Sequence, residues 1–224
     1  VLPNGLVRQY SLCGPRDDHG RYRVAVLREQ QGGGGSEFVH QSLSLGQRLE
    51  VRGPRNNFEL EDAPSYHFVA GGIGMTAILP MVAEAERRQA DWTLVYLGRS
   101  RERLAFLDEL SAFSSERVRL ISTGAEGRPT IEEVLDGAAP GALLYACGPA
   151  RLLDALAASE WPEDRIRFER FEPDAAAITA PTDTFQAQLT QSGRTLEVPR
   201  DKSLLDVMEE AGVTWPYSCR EGTC

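Results

Sequence analysis

The sequence predicts a chain of mixed class: a partial antiparallel barrel, then a parallel α/β domain, then the start of a β-grasp domain. Three observations predict it. Residues 1–58 carry short apolar or alternating runs separated by Gly, Pro and Asp, the pattern of β-strands joined by turns. Residues 64–172 alternate short apolar strands with helical patterns, which calls for a parallel sheet with right-handed crossovers. Residues 183–224 read strand, strand, helix and cysteine loop. The expected domains are 1–62, 63–172 and 183–224, with a linker over 173–182.

In the first segment Val7–Leu12, Tyr22–Arg28 and Arg48–Val51 read as strands. Three strands are too few to close a barrel. The first residue is Val1, in mid-element, so further strands are expected before it. On an extended strand Arg8 and Tyr10 share one face and Ser11 takes the other. Such a trio suits a phosphate, an aromatic ring and a heterocycle nitrogen, in that order. The tetrapeptide Arg8-Gln9-Tyr10-Ser11 taken alone suits an exposed strand better. Gly32-Gly33-Gly34-Gly35-Ser36 then runs into a short helix expected over Glu37–Leu43. Bare backbone N–H groups at such a place suit a phosphate. The same composition is that of a flexible connector; its position between two strands of one barrel favours the phosphate.

The α/β segment offers strands at Ser65–Ala70, Thr93–Leu97, Val118–Ile121, Ala142–Ala146 and Ile166–Phe168. Helices are expected at Ala77–Gln89, Arg103–Phe113, Thr130–Leu135 and Ala150–Ala158. Leu104, Leu107, Leu110 and Phe113 recur at helical spacing, and Thr130 with Glu133 makes a capping box. The first strand ends in Gly71-Gly72-Ile73-Gly74-Met75-Thr76. This is a glycine turn feeding a helix N-terminus, where a pyrophosphate gains free N–H groups and the helix dipole; a tight strand–helix turn needs the same residues. Pro80, early in that helix, is tolerated with Thr76 as its cap. The fourth strand ends in Cys147-Gly148-Pro149, at the carboxyl edge where such sheets bind ligands. A lone cysteine is also an ordinary buried residue. Arg99, just past the second strand, suits a ribose or phosphate, or plain solvent.

Pro173–Pro181 is rich in Ala, Pro and Asp and reads as an interdomain linker. Phe185–Leu189 and Thr195–Val198 form a hairpin around Gln191-Ser192-Gly193-Arg194, and Ser203 with Asp206 caps a helix over Leu204–Ala211. Then comes Cys219-Arg220-Glu221-Gly222-Thr223-Cys224. Two cysteines four residues apart are the first half of the plant-type Cys-x4-Cys-x2-Cys…Cys iron–sulfur loop. Taken alone they are equally two ordinary cysteines or a disulfide. The remaining ligands are expected beyond Cys224, in a longer protein.

A net charge of −9 argues against nucleic acid and anionic membrane surfaces as partners. No apolar run is long enough to cross a bilayer. Four cysteines in 224 residues are no disulfide framework, and a reducing cytoplasm fits best. His19, His40 and His67 are scattered and read as structural or surface residues.

The order of motifs is specific. Arg8-x-Tyr10-Ser11-Leu12, Gly34-Gly35-Ser36, Gly71-Gly72-Ile73-Gly74-Met75-Thr76, Cys147-Gly148-Pro149, Phe168-Glu169-Arg170-Phe171 and Cys219-x4-Cys224 follow one another. This series resembles the phthalate dioxygenase reductase family, which includes the vanillate O-demethylase reductases, over essentially the whole chain. The resemblance implies a flavin-binding barrel, an NAD-binding α/β domain and a C-terminal plant-type ferredoxin domain. It implies FMN, NADH and a [2Fe–2S] cluster as cofactors, and a Rieske-type terminal oxygenase as partner of a monomeric reductase. It places Arg8, Tyr10 and Ser11 on the flavin strand, Val26 and Leu27 beside the ring, and Gly34, Gly35 and Ser36 at the phosphate. Gly72, Gly74 and Thr76 then lie near flavin and nicotinamide, Cys147, Gly148 and Pro149 on the nicotinamide side, and Arg99 on the adenosine side. Phe171 packs on the flavin, so that Ser11, Cys147 and Phe171 stand at the reacting atoms. Cys219 and Cys224 become cluster ligands.

Three features depart from the family pattern. The family's loops often carry an Arg just before Gly-Gly-Ser; here Gly33 and Gly34 fill that stretch. The helix proline usually follows the Thr directly; here Ala77 follows and Pro80 comes later. Half of the cluster ligands are absent from the chain. A flavin or ferric reductase without a working cluster is the alternative within enzymes, and a nucleotide-binding module without catalysis the alternative outside them.

Overall fold

In a computed structural model the described residues are 1–18, 20–30, 33–172 and 183–215. They form two compact units, Val1–Phe171 and Glu172–Cys224. The first unit is built on five parallel strands: β1 (Ser65–Gly71), β2 (Asp91–Gly98), β3 (Val118–Ser122), β4 (Leu143–Cys147) and β5 (Ile166–Glu169), in the order β3-β2-β1-β4-β5. β1 is central and buried throughout its length, which is why its sequence is apolar without strict alternation. Phe68 and Ala70 face one layer with Ile78 and Val82 of α2 (Met75–Arg87). Val69 faces the other layer, with Leu153 and Leu156 of α5 (Ala150–Ala157) and Val134 of α4 (Ile131–Leu135). The capping box of Thr130 and Glu133 forms in both directions, Glu133 N donating to Thr130 Oγ1 at 3.2 Å and Thr130 N to Glu133 Oε2 at 2.7 Å.

Two helices differ from expectation. Over 103–113 only α3 (Leu107–Leu110) is helical. Phe106 takes φ +63°, a left-handed conformation that a continuous helix cannot contain, yet Leu104 and Leu110 remain in the core. The periodicity marked burial, and a turn of 3₁₀ over Arg101–Arg103 satisfies part of it. α2 starts at Met75, behind a 3₁₀ turn over Gly72–Gly74. Thr76 is therefore inside the helix and not its cap: its hydroxyl donates to Ile73 O at 2.9 Å.

The N-terminal segment contains one helix, α1 (Gly35–Gln41), two residues earlier than expected. Of the strands expected there, the described residues form a single antiparallel bridge, Leu12 with Val24. A ladder needs a partner edge and a face to bury, and Tyr22, Val24, Leu27, Leu49 and Val51 are all exposed. The segment is nevertheless fixed to the sheet. Tyr145 of β4 donates its hydroxyl to Glu59 O and accepts from Glu61 N, both at 2.9 Å. Arg23 reaches Glu109 at 2.9 Å and lies over the ring of Phe106.

The second unit holds the antiparallel pair β6 (Phe185–Leu189) and β7 (Arg194–Val198), joined through Gly193 at φ +69°. Next comes α6 (Leu204–Glu210), capped by Ser203 and Asp206. Arg194 donates to Ala211 O at 2.9 Å, tying the helix end to the hairpin. The expected linker and the cysteine loop lie outside the described residues.

Candidate functional site

The sheet reverses its order between β1 and β4. At such a switch point the loops after the two strands leave the carboxyl edge in opposite directions and open a crevice for ligand. Both loops are stretches that the sequence singles out. They meet backbone to backbone. A Cβ on Gly74 would stand 2.5 Å from the carbonyl carbon of Cys147 and 2.8 Å from Gly148 N. One on Gly148 would stand 3.0 Å from Gly71 Cα, and one on Gly71 2.7 Å from Pro149 Cδ. Only glycine lets two backbones approach so closely. Tyr96, from β2, pins the first loop: its hydroxyl donates to Gly72 O and accepts from Ala105 N, each at 3.1 Å.

Cys147 is fully buried. Burial pushes its thiol far above the ordinary cysteine value, and the carboxylate of Glu169, its register partner on β5, pushes the same way. The thiol stays protonated and is a packing surface, not a nucleophile. Burial also raises the Glu169 carboxyl. Phe171 follows β5 and is 39% exposed, free to lie on a ring. Arg170 beside it is held by Asp154 at 2.8 Å and stacks over Phe168.

A second cluster lies in the N-terminal segment. Arg8 lies along the glycine loop: its Nη2 donates to Gly33 O at 2.5 Å, and its Nη1 to Val7 O at 2.8 Å. Cβ atoms on Gly33 and Gly35 would stand 2.5 Å and 2.7 Å from the Arg8 side chain. Gly34 caps α1 at φ +75°. Ser36 Oγ accepts from Glu29 N at 3.1 Å. Tyr10 is half-buried, its hydroxyl raised by desolvation, with Arg8 and Glu29 acting on it in opposite senses. His40 bonds Val26 O at 2.7 Å. Ser11 is half-buried and Leu27 exposed.

The structure thus gathers Arg8, Tyr10, Gly34, Gly35 and Ser36 into one cluster. It gathers Gly72, Gly74, Cys147, Gly148 and Pro149 into another, with Thr76 buried at the start of α2. Arg99 stands apart, at the end of β2. Cys219 and Cys224 lie outside the described residues. Among the described residues no His, Cys, Asp or Glu group is placed to hold a metal ion, and no helix is long and apolar enough to cross a membrane. His67 is structural: it is buried and bonds Thr93 Oγ1 at 2.7 Å and Val134 O at 2.9 Å. Sequence reasoning missed Tyr96 and the partnership of Glu169 with Cys147. Only the strand register reveals the second; a tyrosine in an apolar strand gives no sign of the first.

Residues 187–224 match the 2Fe-2S iron-sulfur cluster binding domain family. The chain is 37% identical to phthalate dioxygenase reductase of Burkholderia cepacia, over all of this chain and 71% of that protein. The family is thereby decided. This chain belongs to the phthalate dioxygenase reductase family. A second member of comparable similarity is the phenoxybenzoate dioxygenase subunit beta of Ectopseudomonas oleovorans, 38% identical over all of this chain and 70% of that one. Among solved structures, an intact type IV self-sufficient cytochrome P450 monooxygenase superposes with a TM-score of 0.84 at 37% identity. It covers 97% of this chain, which spans 29% of its length. As a member of this reductase family the chain is an oxidoreductase of the ferredoxin-reductase type, with a 2Fe-2S ferredoxin domain at its C-terminal end.

Proposed function

We propose that the chain carries electrons from NADH through FMN and a [2Fe–2S] centre to a terminal oxygenase. The observation that carries this reading is the fit of Arg8 to the glycine loop. A guanidinium with unspent donors, bare N–H groups at the start of α1 and no Cβ in between make a cradle for a phosphate dianion. Tyr10 presents a ring for stacking, and Ser11 a hydroxyl for a heterocycle nitrogen. At the crossing of the β1 and β4 loops a nicotinamide would lie against Gly148 and Pro149, which are accessible, while Cys147 is buried. The buried, protonated thiol of Cys147 adds no charge near that ring. Phe171 covers the opposite ring. FMN, when bound, supplies the conversion of a hydride into single electrons. Cys219 and Cys224 are read as two of the four thiolates that a plant-type cluster needs.

For the acceptor, the relatives named as subunits of dioxygenase systems favour a Rieske-type oxygenase. One observation favours a second acceptor. The self-sufficient P450 monooxygenase matches nearly the whole chain, so a haem domain is the competing partner.

The test is an absorbance spectrum of the protein expressed from its complete reading frame, before and after NADH. A flavin band and a red-shifted iron–sulfur shoulder, both bleaching, support the reading. A flavin band without the shoulder supports a plain flavin or ferric reductase. A colourless protein after reconstitution overturns it. Reduction of a Rieske-type oxygenase against a P450 haem domain then decides the acceptor.

A further inference from the structure

Two segments of the proposed reaction lie far apart in the sequence, and one path of contacts joins them. Residues 22–28 carry Val26 and Leu27, which on the flavin reading flank the ring. The Gly71–Gly74 loop is the one that meets the nicotinamide on the same reading. Between them stands Arg23. Its Nε and Nη2 donate to Cys13 O at 3.2 Å and 2.6 Å, and Cys13 N donates back to Arg23 O at 2.8 Å. Cys13 is buried, so the guanidinium is fixed to its own segment. It is fixed to the α/β layer as well: Nη1 donates to Glu109 Oε1 at 2.9 Å, and the guanidinium carbon lies 5.4 Å from the centroid of the Phe106 ring.

An exposed ion pair contributes little by itself. What gives this one leverage is the residue beside it. Phe106 takes φ +63°, a conformation that a bulky residue keeps only where its surroundings hold it. Arg23 holds it from the ring side by a cation–π contact, and from the following helical turn through Glu109 of α3. The residue before it, Ala105, donates its N–H to the Tyr96 hydroxyl at 3.1 Å, and that hydroxyl donates to Gly72 O at 3.1 Å. Tyr96 is fully buried, and burial raises its hydroxyl above the ordinary tyrosine value. The group stays protonated and keeps its donor on Gly72. The path Arg23–Phe106–Ala105–Tyr96–Gly72 therefore has an anchored start, a strained middle and a hydroxyl that both donates and accepts. It ends in the loop whose Gly74 abuts the Cys147 carbonyl.

We propose that Arg23 is a positioning residue. Through Phe106, Ala105 and Tyr96 it holds the Gly71–Gly74 loop in place against residues 22–28, and so sets where a nicotinamide meets the flavin. The second half of this statement rests on the reductase reading; the first is a property of the protein without cofactor. A misplacement of about 1 Å at a reacting centre costs on the order of a hundredfold in rate, so a small loosening at Gly72 is amplified in hydride transfer. Arginine suits the role better than lysine, whose ammonium makes an ion pair but lays no plane on a ring.

The experiment is hydrogen exchange on the full-length protein before flavin is added, in the parent, Arg23→Gln, Tyr96→Phe and the double variant. The Arg23 side chain is 44% exposed, so glutamine there leaves the core intact. Arg23→Gln should speed exchange about tenfold in residues 104–110, and also in residues 71–76 at the far end of the path, the worth of about one hydrogen bond. In the Tyr96→Phe background it should speed 104–110 alone. If Tyr96→Phe does not fold, Phe106→Leu cuts the path at another point and should equally abolish the effect on 71–76. An unchanged 71–76 in Arg23→Gln, or an acceleration there that survives the cut, overturns the proposal. Stopped-flow reduction of the flavin-loaded protein separates the two levels. The limiting rate in Arg23→Gln should fall about tenfold while the apparent Kd for NADH stays within about twofold. If NADH reduces parent and variant alike, the positioning role fails and the reductase reading stands. If 71–76 loosens but NADH does not reduce even the parent, the path stands and the reductase reading fails.

Discussion

Gly74→Ala is the sharpest test of the crevice. Gly74 has φ −57°, ordinary for any residue, so alanine brings no backbone strain of its own. Its added methyl would stand 2.5 Å from the carbonyl carbon of Cys147 and 2.8 Å from Gly148 N. Carbon atoms rest about 3.5–4.0 Å apart, so the two loops must separate by roughly 1 Å. The obstacle is backbone on both sides, with no side chain to swing away. Overpacking of this kind costs about 1–3 kcal/mol, and the rigidity of the neighbours puts the expected loss at the upper end, about 3 kcal/mol. A displacement of about 1 Å at a reacting centre costs on the order of a hundredfold in rate. The assays are urea unfolding and stopped-flow reduction of the full-length protein by NADH. Gly127→Ala is the control: φ is +82° with nothing within 4 Å of its Cβ, so it costs about 1 kcal/mol through conformation alone and leaves the rate unchanged. If Gly74→Ala unfolds within about 0.5 kcal/mol of the parent and reduces within about twofold, the loops are not held by contact and the reasoning fails.

Two further predictions concern charge. Arg8→Gln removes the guanidinium from the glycine cradle, and FMN affinity should fall by about tenfold or more in a fluorescence titration of the reconstituted protein, as loss of a charge-assisted bond requires; unchanged affinity places the phosphate elsewhere. Glu84, only 8% exposed and bound by Arg87 and Arg88 at 2.7–2.8 Å, has its carboxyl lowered from 4.5 to about 2. A depressed folded value gives stability that is fully present above pH 4.5 and lost as pH falls toward 2. Glu84→Gln should therefore lose about 1–2 kcal/mol at neutral pH, after discounting the solvent-exposed Arg87. Its gap from the parent should close on acidification, measured by urea unfolding at several pH values; a gap that persists at pH 2 would sink the assignment.

The parallel sheet was legible because burial on both faces forces continuous apolar runs, and β1 in particular reads directly from its residues. Burial is all that such runs report. Leu104, Leu107, Leu110 and Phe113 repeat at helical spacing, but the turn at Phe106 meets the same demand for burial with four residues of helix. Strands at the N-terminal end were not legible as ladders, because pairing depends on partners that no local pattern encodes. The caps at Thr130 and Ser203 were legible for the opposite reason: each closes within three residues of itself.

The candidate site divides along the same line. Its glycines stand out in the sequence, but a glycine there signifies only a missing Cβ. What fills the missing Cβ is decided by contact between distant segments: Gly74 with Cys147, and Gly33 and Gly35 with Arg8. This second contact bears on the departure from the family pattern in the glycine loop. The family often places an arginine just before Gly-Gly-Ser, whereas this chain has glycine at positions 33 and 34. The space that side chains at 33 and 35 would occupy is taken by the Arg8 side chain arriving from another strand of sequence. One guanidinium at the loop is therefore supplied from position 8, and a side chain at position 33 fits only when that of Arg8 shifts.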